Sequence, residues 1–140
     1  MTETRIEYVN LSVWQGERGF SQAVKVPAGR TLLLLAGAGS EAATGTPVAP
    51  GDVVAQCRAA WASIGEVLAR AGGTVRDIVR VRSYVTDARY LPDVTAVRKE
   101  VLGAPPYPPH TFLVVSALAH PQMLVEIEVD AMLDAKVGTA

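Results

Sequence analysis

Residues 124–132 read LVEIEVDAM, and this alternation decides the fold. In an extended chain Val125, Ile127 and Val129 point to one side, and Glu126, Glu128 and Asp130 to the other. Working back along the chain, residues 78–86, IVRVRSYVT, repeat the plan: Val79, Val81, Ser83 and Val85 alternate with Arg80, Arg82 and Tyr84. Both stretches therefore read as strands with one apolar and one polar face. Two helical patterns are available to cover the apolar face. Val53, Cys57, Trp61, Ile64 and Leu68 recur at helical spacing after the N-cap Asp52, and Gly72 and Gly73 close that helix. Tyr90, Val94, Val97 and Val101 form a second stripe after Asp87, with Pro92 tolerated in the first turn and Gly103 as the stop. The polar face, which carries both signs of charge, is left either to solvent or to salt bridges with other subunits, and the pattern alone leaves both readings open.

The remaining segments read as β. Residues 22–26 and the Leu-rich run 31–36 flank a turn at residues 27–29 and are expected to pair as a hairpin. A Pro-rich loop leads into a strand over residues 111–115, and a turn near His120 and Pro121 leads into the closing strand. A single domain over residues 1–140 is expected, since no linker or low-complexity tract divides the sequence. With 13 Lys and Arg against 14 Asp and Glu, the formal net charge is −1. Such a balance argues against nucleic acid as a partner, because a non-specific grip on phosphates needs a basic surface. Glu3, Arg5 and Glu7 interrupt the start where a secretory signal needs an apolar run, and no stretch is long enough to span a membrane. The reading is a cytoplasmic protein without a membrane partner.

Chemistry has few candidate carriers. The lone Cys57 lies on the apolar stripe of the first helix and reads as a small buried hydrophobe. His110 and His120 are ten residues apart with no Cys or HExxH partner, so no metal site is expected. No serine has a GxSxG context. Glu126 is an ionisable group on a sheet, read either as a surface carboxylate paired with Arg80 or Arg82 or as a working group. His110 opens a strand after Pro108 and Pro109, a place from which a fold presents a side chain or merely caps a loop. Gly37 and Gly39 lie too far from the next helix to cradle a phosphate on its dipole. They do offer free backbone N–H groups at a strand end, suited to a carboxylate or carbonyl ligand.

FSQAVKV (20–26), the strand ending in Ala36 and Gly37, the long run GDVVAQCRAAWASIGEVLARAGGTVRDIVRVRSYVTD (51–87) and the ending PPHTFLVVSALAHPQMLVEIEVDAML (108–133) together resemble the YjgF/RidA family of small deaminases. The resemblance covers about residues 20–133. It implies a chorismate-mutase-like α/β (α+β) fold, with a mixed six-stranded sheet and two helices on one face. It further implies a homotrimer whose sheets form a central barrel with clefts between subunits. The family's best-known activity is hydrolysis of reactive enamines and imines such as 2-aminoacrylate, without metal or organic cofactor. By motif position Glu126 matches the Glu that positions water, Gly37 the glycine whose N–H faces the ligand, and Phe20 a position often held by Tyr. His110 stands where the family has the Arg that binds a substrate carboxylate, while Ala36 and Ala38 replace the usual Ser and Gln. An imidazole cannot reproduce a two-pronged guanidinium contact, so the departure points away from 2-aminoacrylate.

The expected activity is hydrolysis of a small enamine or imine, with Glu126 and His110 facing one cleft and exchanging protons near neutral pH. Phe20, Gly37 and Phe112 would contact the substrate, and Phe112, with Leu113, Trp14 and Tyr107, would supply an apolar wall. Two alternatives are a trimer that binds a metabolite without turnover and the ribonuclease activity reported for some relatives. Ammonia release, saturable binding without product and salt-sensitive RNA binding distinguish the three.

Overall fold

The closing alternation forms β6 (Val125–Leu133) in the computed structural model, which describes residues 6–27, 29–41 and 47–134. Val125, Ile127 and Val129 are fully buried, whereas Glu126, Glu128 and Asp130 keep partial exposure on the other face. β4 (Ile78–Val85) pairs antiparallel with β6, setting Tyr84 opposite Glu126 and Arg82 opposite Glu128. β5 (His110–Val114) runs parallel to β4 at the edge, with His110 opposite Val81. A parallel pair needs a crossover, and α3 (Leu91–Leu102) supplies it. β3 (Thr31–Leu34) lies antiparallel on the other side of β6, giving the order β3-β6-β4-β5.

α2 (Val53–Arg70) starts where the sequence predicts, with the Asp52 side chain accepting from the Ala55 N–H at 3.0 Å. Its stripe Val53, Cys57, Trp61, Ile64 and Leu68 is buried against β6 and α3. Full burial of an aliphatic side chain there contributes about 1.5–3 kcal/mol. Burial also pushes the Cys57 thiol up to about 12, so it remains a neutral apolar filler. Gln56, a polar residue on the same face, is buried as well. Its amide donates to the carbonyls of Ala49 and Gln122 and accepts from the Leu124 N–H, which anchors the chain entering β6.

Three features differ from the sequence reading. β2 (Ala23–Lys25) pairs with β1 (Glu7–Val9), while β3 pairs with β6, so the expected hairpin between the first two runs does not form. The turn signal marked a reversal of the chain without specifying the partner, and the long β6 offers β3 a full antiparallel ladder. Rather than one six-stranded sheet, the strands divide into a sheet of four and a sheet of two, joined where Ser21 bridges Pro109. A third helix, the short α1 (Trp14–Glu17), was not anticipated. The mixed α and β class and the placement of α2 and α3 against the apolar face hold. Among the described residues no helix is long and apolar enough to cross a membrane.

Candidate functional site

One corner of the site forms where β5 leaves the Pro-rich loop. The Val81 N–H donates to the Pro109 carbonyl at 2.9 Å and the Ser21 N–H to that of Pro108 at 3.2 Å, fixing the approach to His110. The imidazole turns to the helix side. Its Nε2 lies 2.8 Å from Ser83 Oγ and 3.2 Å from Arg98 Nη1. A guanidinium can only donate, so Nε2 accepts from Arg98 and the ring proton sits on Nδ1. Burial, and then the Arg98 charge, push the imidazole down to about 3, so His110 is neutral near pH 7. The expected exchange of protons near neutral pH is therefore not available to it.

Behind His110, Arg98 is only 2% exposed. Its Nε donates to the Gly19 carbonyl at 3.3 Å and its Nη2 to the Arg18 carbonyl at 3.1 Å. Burial lowers its pKa to about 10, which still leaves the guanidinium charged at neutral pH. Lys99 Nζ donates to the Glu17 carbonyl at 3.0 Å, and these bonds hold the 17–19 segment against α3. Gly19 permits that approach: its φ is +76°, and a Cβ there would lie 2.6 Å from Lys99 Cγ. Phe20 and Phe112 line the resulting cleft beside His110 and Arg98.

The second corner forms beyond β3. Leu35 N–H donates to the Val129 carbonyl at 3.2 Å and Ala38 N–H to that of Ile127 at 2.7 Å, so three chain steps oppose two and the backbone bulges at Ala36 and Gly37. Among the described residues the Gly37 N–H has no backbone partner. A Cβ on Gly37 would lie 2.8 Å from Glu126 Cδ, so the carboxyl packs directly on the glycine backbone. Partial burial, then Glu41 and Glu128, raise the Glu126 pKa above the ordinary carboxylate value. Glu128 takes the ion pair expected of its neighbour, accepting from Arg82 Nη1 at 2.7 Å. Glu126 has no hydrogen bond or ion pair among the described residues.

The expected site residues thus fall into two groups. Phe20, His110 and Phe112 share the helix-side cleft, whereas Gly37 and Glu126 meet across β6 on the side of the polar face. Within one chain the register sets His110 and Glu126 on opposite faces of the sheet, His110 turning to Arg98 on the helix side and Glu126 lying opposite Tyr84. Trp14 stacks edge-on against Phe20, with ring centroids 5.7 Å apart, while Tyr107 is core. Among the described residues no cluster of His, Cys, Asp or Glu could hold a metal ion. The sequence reading passed over Arg98 and Ser83. Arg98 stands four residues after Val94 and four before Leu102, on the buried face of α3, and that spacing was a usable signal.

Comparison with known proteins agrees with this architecture. The family profile described as Endoribonuclease L-PSP matches residues 14–133. A RutC family protein of Escherichia coli strain K12, YjgH, is 37% identical over 89 residues, which span 63% of this chain and 66%, just under two thirds, of that protein. The crystal structure of YyfB, a Rid family protein of unknown function from Yersinia pestis, superposes with a TM-score of 0.82 at 35% identity, covering 91% of this chain and 98% of that one. A Mycobacterium tuberculosis member of the YjgF family gives a TM-score of 0.62 at 33% identity, covering 92% of this chain and 100% of its own. With the profile spanning the helices, the four-stranded sheet and both corners of the site, the chain belongs to the YjgF/Rid family.

Proposed function

We propose that this protein is a cofactor-independent hydrolase of small reactive enamines or imines, working in the cytoplasm as a homotrimer of single-domain subunits. The observation that carries this reading is the Glu126 carboxyl, partly buried, without a hydrogen-bonding partner among the described residues, and seated on the bulged Gly37 backbone. A carboxylate so placed can accept a proton from water as the water adds to the carbon of a C=N bond, and return it to the departing nitrogen. The sum is imine plus water giving a carbonyl compound and ammonia. An enamine reaches the same path once a proton has been added at carbon.

A second copy is needed to complete the site. The helix-free face keeps Leu32 and Leu34 exposed beside Arg82, Glu128 and Asp130, and the edge strand β5 exposes Leu113 and Val114. Such surfaces favour packing against other copies. In the proposed cleft Glu126 and Gly37 of one subunit face Phe20, His110 and Phe112 of the next. His110, held neutral, contacts substrate there through its Nδ1–H and does not relay protons.

The neutral imidazole also favours a second reading, a trimer that binds a metabolite without turnover. The deciding experiment supplies imines generated in situ by an amino-acid oxidase and follows ammonia and 2-oxo acid, alongside light scattering for the trimer. Accelerated release supports the hydrolase, while saturable 2-oxo acid binding with no release leaves the binding protein. A stable monomer removes the shared cleft from both, and RNA cleavage abolished by Glu126→Gln would replace both with the ribonuclease reading.

A further inference from the structure

Arg98 is a buried cation without a counter-ion. Among the described residues no carboxylate forms an ion pair with it, and the two ionisable groups that bear on it most closely, His110 and Cys57, are both uncharged near pH 7. Two backbone carbonyls and the imidazole occupy three of its five N–H groups, leaving two unused among the described residues. Arg98 is among the residues that line a cleft of about 690 Å³ between α3, β5 and the 18–20 segment, and its guanidinium lies directly behind His110, which lines the same cleft. Arg18 and Lys99 line the same cleft, and among the described residues no acidic one does. A charge buried without a partner carries a desolvation penalty, which an anion entering the cleft would offset. Apart from Thr95 the remaining walls are apolar, with Phe20 and Phe112 beside His110.

We propose that Arg98, reaching the cleft from α3 behind His110, forms an anion subsite with it, and that the ligand is a small carboxylate bearing an apolar side chain, a 2-oxo or 2-imino acid. This rests on the reading of the protein as acting on small imines and names their class. Position 110 itself offers only a neutral imidazole to the cleft, and the positive charge stands 3.2 Å behind it on Arg98, supplied from another element. The ring accepts the Arg98 N–H through Nε2, so its own proton is on Nδ1 and is available as a second donor. The two aromatic walls account for a preference for a bulky side chain over that of 2-aminoacrylate.

Equilibrium binding tests this without depending on turnover. In calorimetric titration phenylpyruvate should bind roughly 10-fold or more tighter than phenylacetone, which lacks the carboxylate, and tighter than pyruvate, which lacks the ring. Arg98→Met should lose roughly 10-fold or more of the phenylpyruvate affinity, and Arg98→Lys, which keeps the charge, should lose less. Equal affinity for phenylpyruvate and phenylacetone, no binding of either, or unaltered binding by a folded Arg98→Met protein would overturn the subsite. Should Arg98→Met fail to fold, the side-chain N–H resonances of Arg98 in the parent protein decide: they must shift with phenylpyruvate and not with phenylacetone, and unmoved resonances overturn the proposal. The two readings fail separately. Carboxylate binding without ammonia release sinks the hydrolase alone, and ammonia release with an unchanged KM in Arg98→Met sinks the subsite alone.

Discussion

The two corners of the site are built on opposite principles. Around His110 most polar groups are tied: Nε2 of the imidazole to Ser83 and Arg98, the guanidinium to two carbonyls, and the 17–19 segment to Lys99. Around Glu126 little is tied: the carboxyl lacks a partner among the described residues and rests on a glycine whose N–H is free of the ladder. Burial shifts both groups toward neutrality, lowering the base and raising the acid. The consequences differ. A histidine pinned by a cation becomes a fixed donor, while an unpaired carboxyl keeps its capacity to take up and release a proton. In the proposed function binding belongs to the first corner and chemistry to the second.

The sharpest way to break this division is Glu126→Gln, which keeps shape and removes the proton acceptor. Turnover should fall roughly 100-fold or more, with melting unchanged or slightly raised because a carboxyl disfavoured as its anion has been replaced. An equal loss of 2-oxo acid binding would place Glu126 in the binding corner instead. Gly37→Ala should follow, since the added Cβ must displace the Glu126 carboxyl. A loss of roughly 10-fold in kcat with a smaller change in stability is expected, and single-turnover kinetics would check it.

Gly19→Ala probes the pinned corner, where strain at positive φ adds to a clash with Lys99. Denaturant unfolding should show a loss of about 1–2 kcal/mol, together with weaker ligand binding. The smallest effect concerns pH. Because the folded pKa of His110 is about 3 against 6.5 for the free side chain, the unfolded chain binds more protons in that window, and His110 contributes stability that is lost as pH falls from about 6.5 toward 3. Glu126 has the opposite sign: its raised folded pKa gives stability that is present below 4.5 and lost as pH rises through the folded value. His110→Gln should therefore flatten the acid limb of the stability profile, and Glu126→Gln should steepen it. Parallel profiles for parent and His110→Gln would show that the imidazole is not held neutral by folding.

Much of this fold is legible in local pattern. The N-cap Asp52, the stripe from Val53 to Leu68 and the alternation of β4 and β6 are short-range features, fixed by helix and strand periods, and each appears where the spacing put it. Strand pairing is not local. The residues of β2 and β3 announce strands, but their partners lie at Glu7–Val9 and Val125–Leu133, and choosing them depends on which ladders coexist with a closed core. The same holds for the site. Glu126 and Gly37 could be named from the polar face of a strand and a strand-end glycine, yet their direct packing depends on a β-bulge that spacing does not reveal.

The sequence by itself determined the two-faced strands, the two covering helices and the residue types available for chemistry, because these follow from backbone periods and side-chain polarity. Tertiary structure alone decided what His110 is. In the sequence it is an imidazole titrating near neutrality; in the fold, Arg98 from a helix twelve residues earlier arrives behind it, and burial and that positive charge together hold it neutral near pH 7. Whether a group carries charge is a property of its surroundings, and those surroundings are assembled from segments that the sequence keeps apart.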